Sequence, residues 1–178
     1  MKKIGWKLIP IVLFVLLTIF LWRGLSLNPH DLPSAQLGKS LPEFTLPQLQ
    51  NPDSAFSSSQ LRDQVVLLNV WASWCAACVE EQVFMLQLAR QGIPIYGLNY
   101  KDKPAEALQW LAQWGNPYQL VMQDRRGKVA IDLGVYGAPE TFIIDKKGII
   151  RYRHAGVVTQ EIWLKEMAPM MKHLEQTA

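Results

Sequence analysis

The sequence predicts an α/β fold, in which a mixed central sheet is flanked by helices and preceded by an N-terminal transmembrane helix. Three observations lead to this prediction. From residue 65 onward, strand-like apolar runs alternate with helically spaced segments, which is typical of parallel strands joined by helices. Near the C-terminus, two strand-like segments flank a turn at residues 145–148. Residues 8–22 form an apolar run without a charge.

The apolar run at residues 8–22 predicts a signal anchor that is not cleaved. As a helix it would be roughly 22 Å long at about 1.5 Å per residue, and the flanking Trp6 and Trp22 can extend it at the membrane interfaces. A cleaved signal peptide is the alternative, but no small-x-small cleavage site follows the run. Lys2, Lys3 and Lys7 before the run, against Arg23 after it, predict a cytoplasmic N-terminus and an external C-terminal domain.

The domain organisation follows from this reading. We expect a signal anchor at residues 1–27, a proline-punctuated linker at 28–40 and a folded domain at 41–178. The basic excess of the chain belongs to the anchor, because residues 1–30 hold four of the 18 Lys and Arg residues and none of the 15 Asp and Glu residues. The rest of the chain is nearly neutral. We therefore expect no nucleic-acid partner.

The elements of the folded domain are predicted from hydrophobic periodicity, in chain order. A short helical turn at residues 60–62 is expected first, capped by the serines at 57–59. Strands are expected at residues 65–70, 93–99, 118–122, 141–144 and 149–153. Helices are expected at residues 79–90, 104–114, 128–133 and 159–174, with Pro104 and Thr159 at the starts of the second and the last.

The only two cysteines, Cys75 and Cys78, stand in the pentapeptide WCAAC, directly after the strand at 65–70. Two thiols separated by two residues can close a disulfide, and a helix start beneath them can favour a thiolate. A structural disulfide is one alternative, but so short a loop restrains little of the unfolded chain. A structural zinc site is the other, but such sites usually need four ligands and the three histidines lie far away in the sequence. We interpret the pair as a redox site without metal or cofactor.

Two carboxylates are candidates for tuning the dithiol. At about 100° per helical residue, Glu81 falls about 60° from Cys78, whereas Glu80 points to solvent. Glu140 follows Pro139 and is expected to face the dithiol across a loop. Negative charge near a thiol disfavours the thiolate, which makes a dithiol a better reductant. The alternatives are an ordinary first-turn helix acid for Glu81 and a surface acid at a strand start for Glu140.

Several motifs resemble those of one protein family. The sequence WASWCAAC at residues 71–78 resembles the active site of the thioredoxin superfamily, and GAPETF at 137–142 stands where that fold has a loop with a cis-proline. Narrower motifs resemble the CcmG/DsbE proteins, from about residue 38 to the C-terminus: LPEF at 41–44, NYKD at 99–102, GVYGAPET at 134–141 and RYRHAG at 151–156.

The resemblance implies a thioredoxin-like fold and a membrane-anchored periplasmic thiol:disulfide oxidoreductase that acts as a reductant in cytochrome c maturation. Cys75 would be the nucleophile and Cys78 the resolving thiol, and Glu81 matches an active-site glutamate of the family. Trp74 and a cis Pro139 would contact substrate, although an ordinary trans-proline is the alternative for Pro139. The implied partners are apocytochrome c, other maturation proteins and a transmembrane electron donor of the DsbD type.

One departure from thioredoxin itself bears on mechanism. Thioredoxin has a buried acid six residues before its first cysteine, where this chain has Asn69, so proton buffering would move to Glu81. Two other functions remain open. One is a TlpA- or ResA-like reductase that serves other clients, such as copper-site assembly. The other is a membrane-tethered module that binds apocytochrome without redox turnover.

Overall fold

The computed structural model describes residues 4–25 and 36–177 and divides into two compact units, Met1–Leu32 and Pro33–Ala178. The described part of the first unit is helix α1 (Ile4–Leu25), along which large apolar side chains are exposed. In the two described ranges, no helix meets the length and apolarity that a membrane crossing requires.

Part of the expected organisation falls outside the described residues. Most of the expected linker at 28–40 lies outside the described ranges. Lys2 and Lys3, on which the predicted orientation of the anchor depends, lie outside them as well. The second unit is described from residue 36 to residue 177, which includes nearly all of the expected folded domain.

The second unit contains short and long strands in chain order. These are β1 (Thr45–Pro47), β2 (Ala55–Ser57), β3 (Val66–Trp71), β4 (Ile95–Tyr100), β5 (Leu120–Asp124), β6 (Glu140–Ile144) and β7 (Ile150–Ala155). The last five form one sheet in the order β5-β4-β3-β6-β7. Strands β3, β4 and β5 are parallel, whereas β6 is antiparallel to both β3 and β7. The predicted mixed sheet and C-terminal hairpin are confirmed.

Helices cover the sheet. They are α2 (Ala76–Arg90), α3 (Pro104–Trp114), α4 (Lys128–Asp132), α5 (Gln160–Ile162) and α6 (Ala168–Gln176), with a π-helical segment at Trp163–Met167 between the last two. The bounds of α3 agree with the prediction. Helix α2 begins at Ala76, three residues before the expected start. The apolar spacing does not reveal its first turn, because Ala76 and Ala77 carry no large side chain to mark a buried face.

The C-terminal helix differs from the single regular helix expected at 159–174. Thr159 caps its start as predicted, with its Oγ1 accepting a hydrogen bond from the amide of Ile162 at 3.3 Å. The π-helical segment follows, and Pro169 then stands in the first turn of α6. Since proline has no amide hydrogen, it cannot continue the regular pattern of helical hydrogen bonds at this point.

The hairpin of β1 and β2 was not predicted, because three-residue strands are too short to show alternation. The short helical turn expected at 60–62 is present as a 3₁₀ helix at Ser58–Leu61, so it starts two residues earlier and includes two of the serines expected to cap it. Ser57 is its N-cap, and the Ser57 amide donates to Gln60 Oε1 at 3.0 Å, which completes a capping box.

Both faces of the central sheet are buried. On one face, Trp71, Cys75 and Cys78 belong to a core that is covered by α2, α3 and the C-terminal helix. On the other face, Val70 and Phe142 belong to a second core, which is covered by the chain before β3 and by α4 with the residues that follow it. Every residue of β3 is buried, as its continuous apolar run predicts.

The sheet topology places the cysteine motif. Because β3 and β4 are parallel neighbours, the residues that follow them, 72–75 and 101–103, lie at the same edge of the sheet. Helix α2 starts from the first of these two loops.

Candidate active site

Cys75 and Cys78 form a disulfide, with their Cα atoms 5.3 Å apart. Both are buried, and Cys75 is slightly more exposed, at 5 % against 2 % for Cys78. Cys75 is the N-cap of α2, and its Sγ accepts a hydrogen bond from the amide of Cys78 at 3.1 Å. A thiolate formed at Cys75 on reduction would therefore lie at the positive end of the helix dipole, within hydrogen-bond distance of the Cys78 amide.

Trp74 is the exposed neighbour of the disulfide. Its side chain is 55 % exposed, and its indole Nε1 donates a hydrogen bond to the carbonyl of Lys101 at 3.1 Å. The ring lies 6.3 Å from that of Tyr100. Trp71 is buried instead and packs 4.8 Å from Trp110, as expected of a core residue.

Glu81 is buried on the same face of α2 as Cys78, three residues further along the helix. Its Oε2 accepts a hydrogen bond from Asn69 Nδ2 at 2.9 Å, and its Oε1 accepts one from the amide of Val158 at 2.8 Å. Burial raises the pKa of Glu81 to about 7, against the opposing effect of these two hydrogen bonds. Glu80 is exposed, as predicted. A buried carboxyl that titrates near neutral pH can take up or release a proton beside the dithiol.

Asn69 links Glu81 by hydrogen bonds to two other buried polar side chains. Its Nδ2 donates to both Glu81 and Thr141 Oγ1, the latter at 2.9 Å, and its Oδ1 accepts from Tyr118 Oη at 2.8 Å. Burial and the charge of Glu81 raise the pKa of Tyr118 well above its ordinary value, which keeps this hydroxyl a donor. Because Oδ1 is occupied by a donor, both amide hydrogens are directed at acceptors. Sequence reasoning missed both partners, because Thr141 reaches Asn69 through the register of β6 against β3 and Tyr118 reaches it from the loop before β5.

Glu140 has contacts that differ from the expectation. In the sheet it is opposite Val70, which belongs to the core on the face away from the cysteines. Its carboxylate accepts from the amide of Tyr136 at 3.1 Å and forms an ion pair with Arg153, with Nη2 and Oε2 2.8 Å apart. Burial raises the pKa of Glu140, whereas these partners oppose the rise. The expected position facing the dithiol is corrected: alternation along β6 directs the side chain to the opposite face.

The Ala138–Pro139 peptide bond is cis, as predicted. The carbonyl of Pro139 accepts a hydrogen bond from the amide of Gly156 at 2.8 Å, which joins this loop to the end of β7. Ala138 is partly buried and packs against the core that contains both cysteines. The loop is therefore on the dithiol side of the molecule even though the Glu140 carboxylate is not.

Metal ligands do not converge in the described parts of the chain, where no group of three or more His, Cys, Asp and Glu side chains could hold an ion. The site is a disulfide with a buried acid, an exposed tryptophan and a neighbouring proline loop. What it can do chemically is exchange disulfides.

Comparison with known proteins places this site in a family. The Redoxin family matches residues 36–169. The thiol:disulfide interchange protein DsbE of Pseudomonas aeruginosa is 46% identical over 167 residues, which cover 94% of this chain and 93% of that protein. The chain belongs to the CcmG/DsbE family. The DsbE protein of Escherichia coli K12 is 44% identical over 177 residues, covering 96% of each chain.

Solved structures agree with the fold of a CcmG/DsbE protein. A crystal structure described as a DsbE protein of Chlorobium tepidum has a TM-score of 0.63 and 28% identity, covering 77% of this chain and 95% of that one. A secreted thiol-disulfide isomerase of Corynebacterium glutamicum has a TM-score of 0.64 at 24% identity, covering 74% and 85% of the two chains, and shows the fold alone. The predicted thioredoxin-like fold and thiol:disulfide oxidoreductase are confirmed, and a binding module without redox turnover finds no support.

Proposed function

We propose that the protein is a membrane-anchored periplasmic reductant in cytochrome c maturation. Its substrate would be the disulfide in the haem-binding Cys-x-x-Cys-His segment of apocytochrome c, or a disulfide of a maturation partner. The observation that carries the reducing direction is the buried carboxyl of Glu81, three residues after Cys78. Its negative charge disfavours a thiolate nearby and so destabilises the reduced form, which makes the dithiol a better electron donor.

The reaction proceeds by two disulfide exchanges. The Cys75 thiolate attacks one sulfur of the substrate disulfide, forms a mixed disulfide and releases one substrate thiolate. The Cys78 thiolate then attacks Cys75 Sγ, closes the Cys75–Cys78 disulfide and releases the second substrate thiolate. The substrate gains two electrons, which the dithiol loses.

Glu81 would act as the general base that accepts the proton of Cys78, the resolving cysteine. Cys78 must lose its proton before it can attack, and a carboxyl with a pKa of about 7 can accept that proton at neutral pH. The hydrogen bonds from Asn69 and Val158 hold the carboxyl in place on the buried face of α2. This assigns to Glu81 the buffering that a strand acid provides in thioredoxin.

Trp74 and the loop at Pro139 would receive the substrate. The indole of Trp74 is more than half exposed directly beside Cys75, which suits contact with apolar side chains around a substrate disulfide. Pro139 follows Ala138, which packs against the cysteine-containing core. An extended substrate segment could lie along this loop and reach the disulfide. Glu140 would act by holding the loop through Arg153 rather than by direct contact with the thiols.

The membrane and the electron donor complete the proposal. The charge-free apolar run at residues 8–22 and the helix formed there support an N-terminal anchor with the folded domain in the periplasm. That compartment is oxidising, so the disulfide must be reduced again after each turnover. A transmembrane electron carrier of the DsbD type would supply those two electrons.

Trapping of the mixed disulfide tests the proposal. A Cys78→Ala variant cannot resolve the intermediate and should accumulate adducts on Cys75, which non-reducing electrophoresis and mass spectrometry identify. We expect apocytochrome c or a maturation protein among the adducts. Cys75→Ala is the matched control and should trap none. Adducts that contain only other periplasmic thiol proteins would contradict the cytochrome assignment and favour a TlpA- or ResA-like client range.

A further inference from the structure

Hydrogen bonds join two neighbouring loops at the residues just before Cys75, the proposed nucleophile. The loops follow the parallel strands β3 and β4 and so meet at one edge of the sheet. Asp102 of the second loop binds Ser73 of the first, and Lys101 binds Trp74. We call these four residues the loop clamp. Cys75 is the next residue along the chain.

The carboxylate of Asp102 is the centre of the loop clamp. The residue is 6% exposed. Its Oδ2 accepts from the amide of Ser73 at 2.6 Å and from Asn99 Nδ2 at 2.9 Å. Its Oδ1 accepts from Ser73 Oγ at 2.7 Å and from the amide of Lys103 at 2.8 Å. Each oxygen thus has two donors, and such charge-assisted bonds are stronger than those between neutral groups.

Lys101 supplies the second half of the loop clamp. Its φ of 47° lies in the left-handed region, which is uncommon for a residue with a side chain. The conformation is held from both sides, because the Lys101 amide donates to the carbonyl of Asp124 at 3.0 Å and its carbonyl accepts from Trp74 Nε1. The carbonyl is thereby fixed as the acceptor for the indole beside Cys75.

We propose that Asp102 is a positioning residue for Cys75, a role that rests on the proposed function of Cys75 as the nucleophile. In the oxidised protein, the disulfide itself restrains the short ring of residues 75–78. After reduction that covalent restraint is gone, and the loop clamp holds Ser73 and Trp74 so that Cys75 stays at the N-cap of α2. Loss of the loop clamp therefore destabilises the reduced form more than the oxidised form.

A purely structural role is the competing explanation, and Asp145 is a matched control for it. Asp145 is also 6% exposed. Its carboxylate accepts from the amides of Lys147 and Ile149, both at 2.9 Å, and from Arg151 Nε at 2.6 Å. These bonds hold the turn between β6 and β7, and none of them involves either loop of the clamp. Asp145→Asn and Asp102→Asn both replace a hydrogen-bonded carboxylate by an amide of the same shape.

Two measurements on the full chain separate the two roles. The first is the second-order rate constant for alkylation of Cys75 by iodoacetamide at pH 7, in a Cys78→Ala background. The second is the equilibrium constant with dithiothreitol, with both cysteines present. In Asp102→Asn, the new NH₂ group faces at least one of the former donors, so we expect the alkylation rate to fall roughly tenfold. The equilibrium should move toward the disulfide roughly fivefold, because the reduced form is destabilised more.

The control variants make the outcome decisive. Asp145→Asn should change both values by less than about twofold. Ser73→Ala keeps the amide donor and loses only the hydroxyl, so we expect a smaller fall in the alkylation rate, roughly threefold. If Asp102→Asn does not fold, the alkylation rate of Ser73→Ala tests the positioning role in its place.

Unchanged values in Asp102→Asn, or in Ser73→Ala where the first variant does not fold, would overturn the proposal. Equal changes in Asp102→Asn and Asp145→Asn would do the same, since they would reflect general destabilisation. A wild-type protein without a reactive Cys75 would refute the proposed function instead, and this is visible before any variant is compared.

Discussion

Burial of Glu81 makes the stability of the oxidised protein depend on pH. Its pKa is raised from 4.5 to about 7 on folding, so its stabilising contribution is complete below pH 4.5 and is lost as the pH rises through 7. The shift corresponds to about 3 kcal/mol. Relative to Glu81→Gln, the wild-type free energy of unfolding should be about 3 kcal/mol larger at pH 4 than at pH 8, which means a more stable fold at pH 4.

Urea denaturation of both proteins at the two pH values measures this difference. The comparison with Glu81→Gln cancels the groups that titrate in both proteins. Parallel pH profiles would show that Glu81 does not carry the shift.

The same carboxyl should set the redox balance of the dithiol. In Glu81→Gln, we expect thiolate formation at Cys75 at lower pH and a dithiol that is less reducing, because a negative charge near the thiols has been removed. A change of about 1 kcal/mol would move the equilibrium with dithiothreitol roughly fivefold toward the dithiol. Glu80→Gln is the matched control, since Glu80 is exposed on the same helix. If the two variants behave alike, Glu81 has no part in tuning the thiols.

Glu140 and Arg153 should contribute mainly to stability. The pair is almost fully buried, with side-chain exposures of 1% and 8%. Arg153→Ala leaves the Glu140 carboxylate without its countercharge, which should cost about 3 kcal/mol in the free energy of unfolding. Loss of the exposed Lys165–Glu161 pair in Lys165→Ala should leave stability nearly unchanged. Denaturation of the two variants checks this, and an equal loss in both would contradict it.

At the scale of elements, long periodic segments could be predicted and short ones could not. The bounds of α3 follow from Pro104 and the apolar spacing after it. The start of α2 could not be read, because Cys75 caps it through a sulfur and the first turn holds only small residues before Cys78. The hairpin of β1 and β2 was missed since each strand has three residues.

The candidate site shows the same division between local and distant contacts. The cysteines, and the position of Glu81 relative to Cys78, follow from spacing along one helix. The partners of Asn69 do not, because Thr141 and Tyr118 are 72 and 49 residues away in the sequence. The face of Glu140 depends on the register of β6 against β3, which pairs Glu140 with Val70, and no local pattern contains that register.

At the scale of the whole molecule, the parallel arrangement of β3 and β4 is what makes the site. It brings the loop before Cys75 beside the loop at Lys101–Lys103, while α2 directs Cys78 and Glu81 into the core. Strand β6 brings Thr141 to Asn69, which binds Glu81, and the Ala138–Pro139 loop to the core that contains the cysteines. The sheet therefore brings together a buried acid, the cysteine that caps α2 and the loop at Pro139, to which we assign substrate contact.

The most direct test of the reducing role is the redox equilibrium of Cys75 and Cys78 against glutathione. Intrinsic tryptophan fluorescence can follow it, because Trp74 adjoins Cys75. At pH 8 the Glu81 carboxyl is mostly ionised, and its charge predicts a reversible two-electron transition in which the disulfide persists in glutathione buffers and yields only to a stronger dithiol reductant such as dithiothreitol. A dithiol that predominates in those glutathione buffers would mark a stabilised reduced form, and it would contradict the assignment of this protein as a reductant.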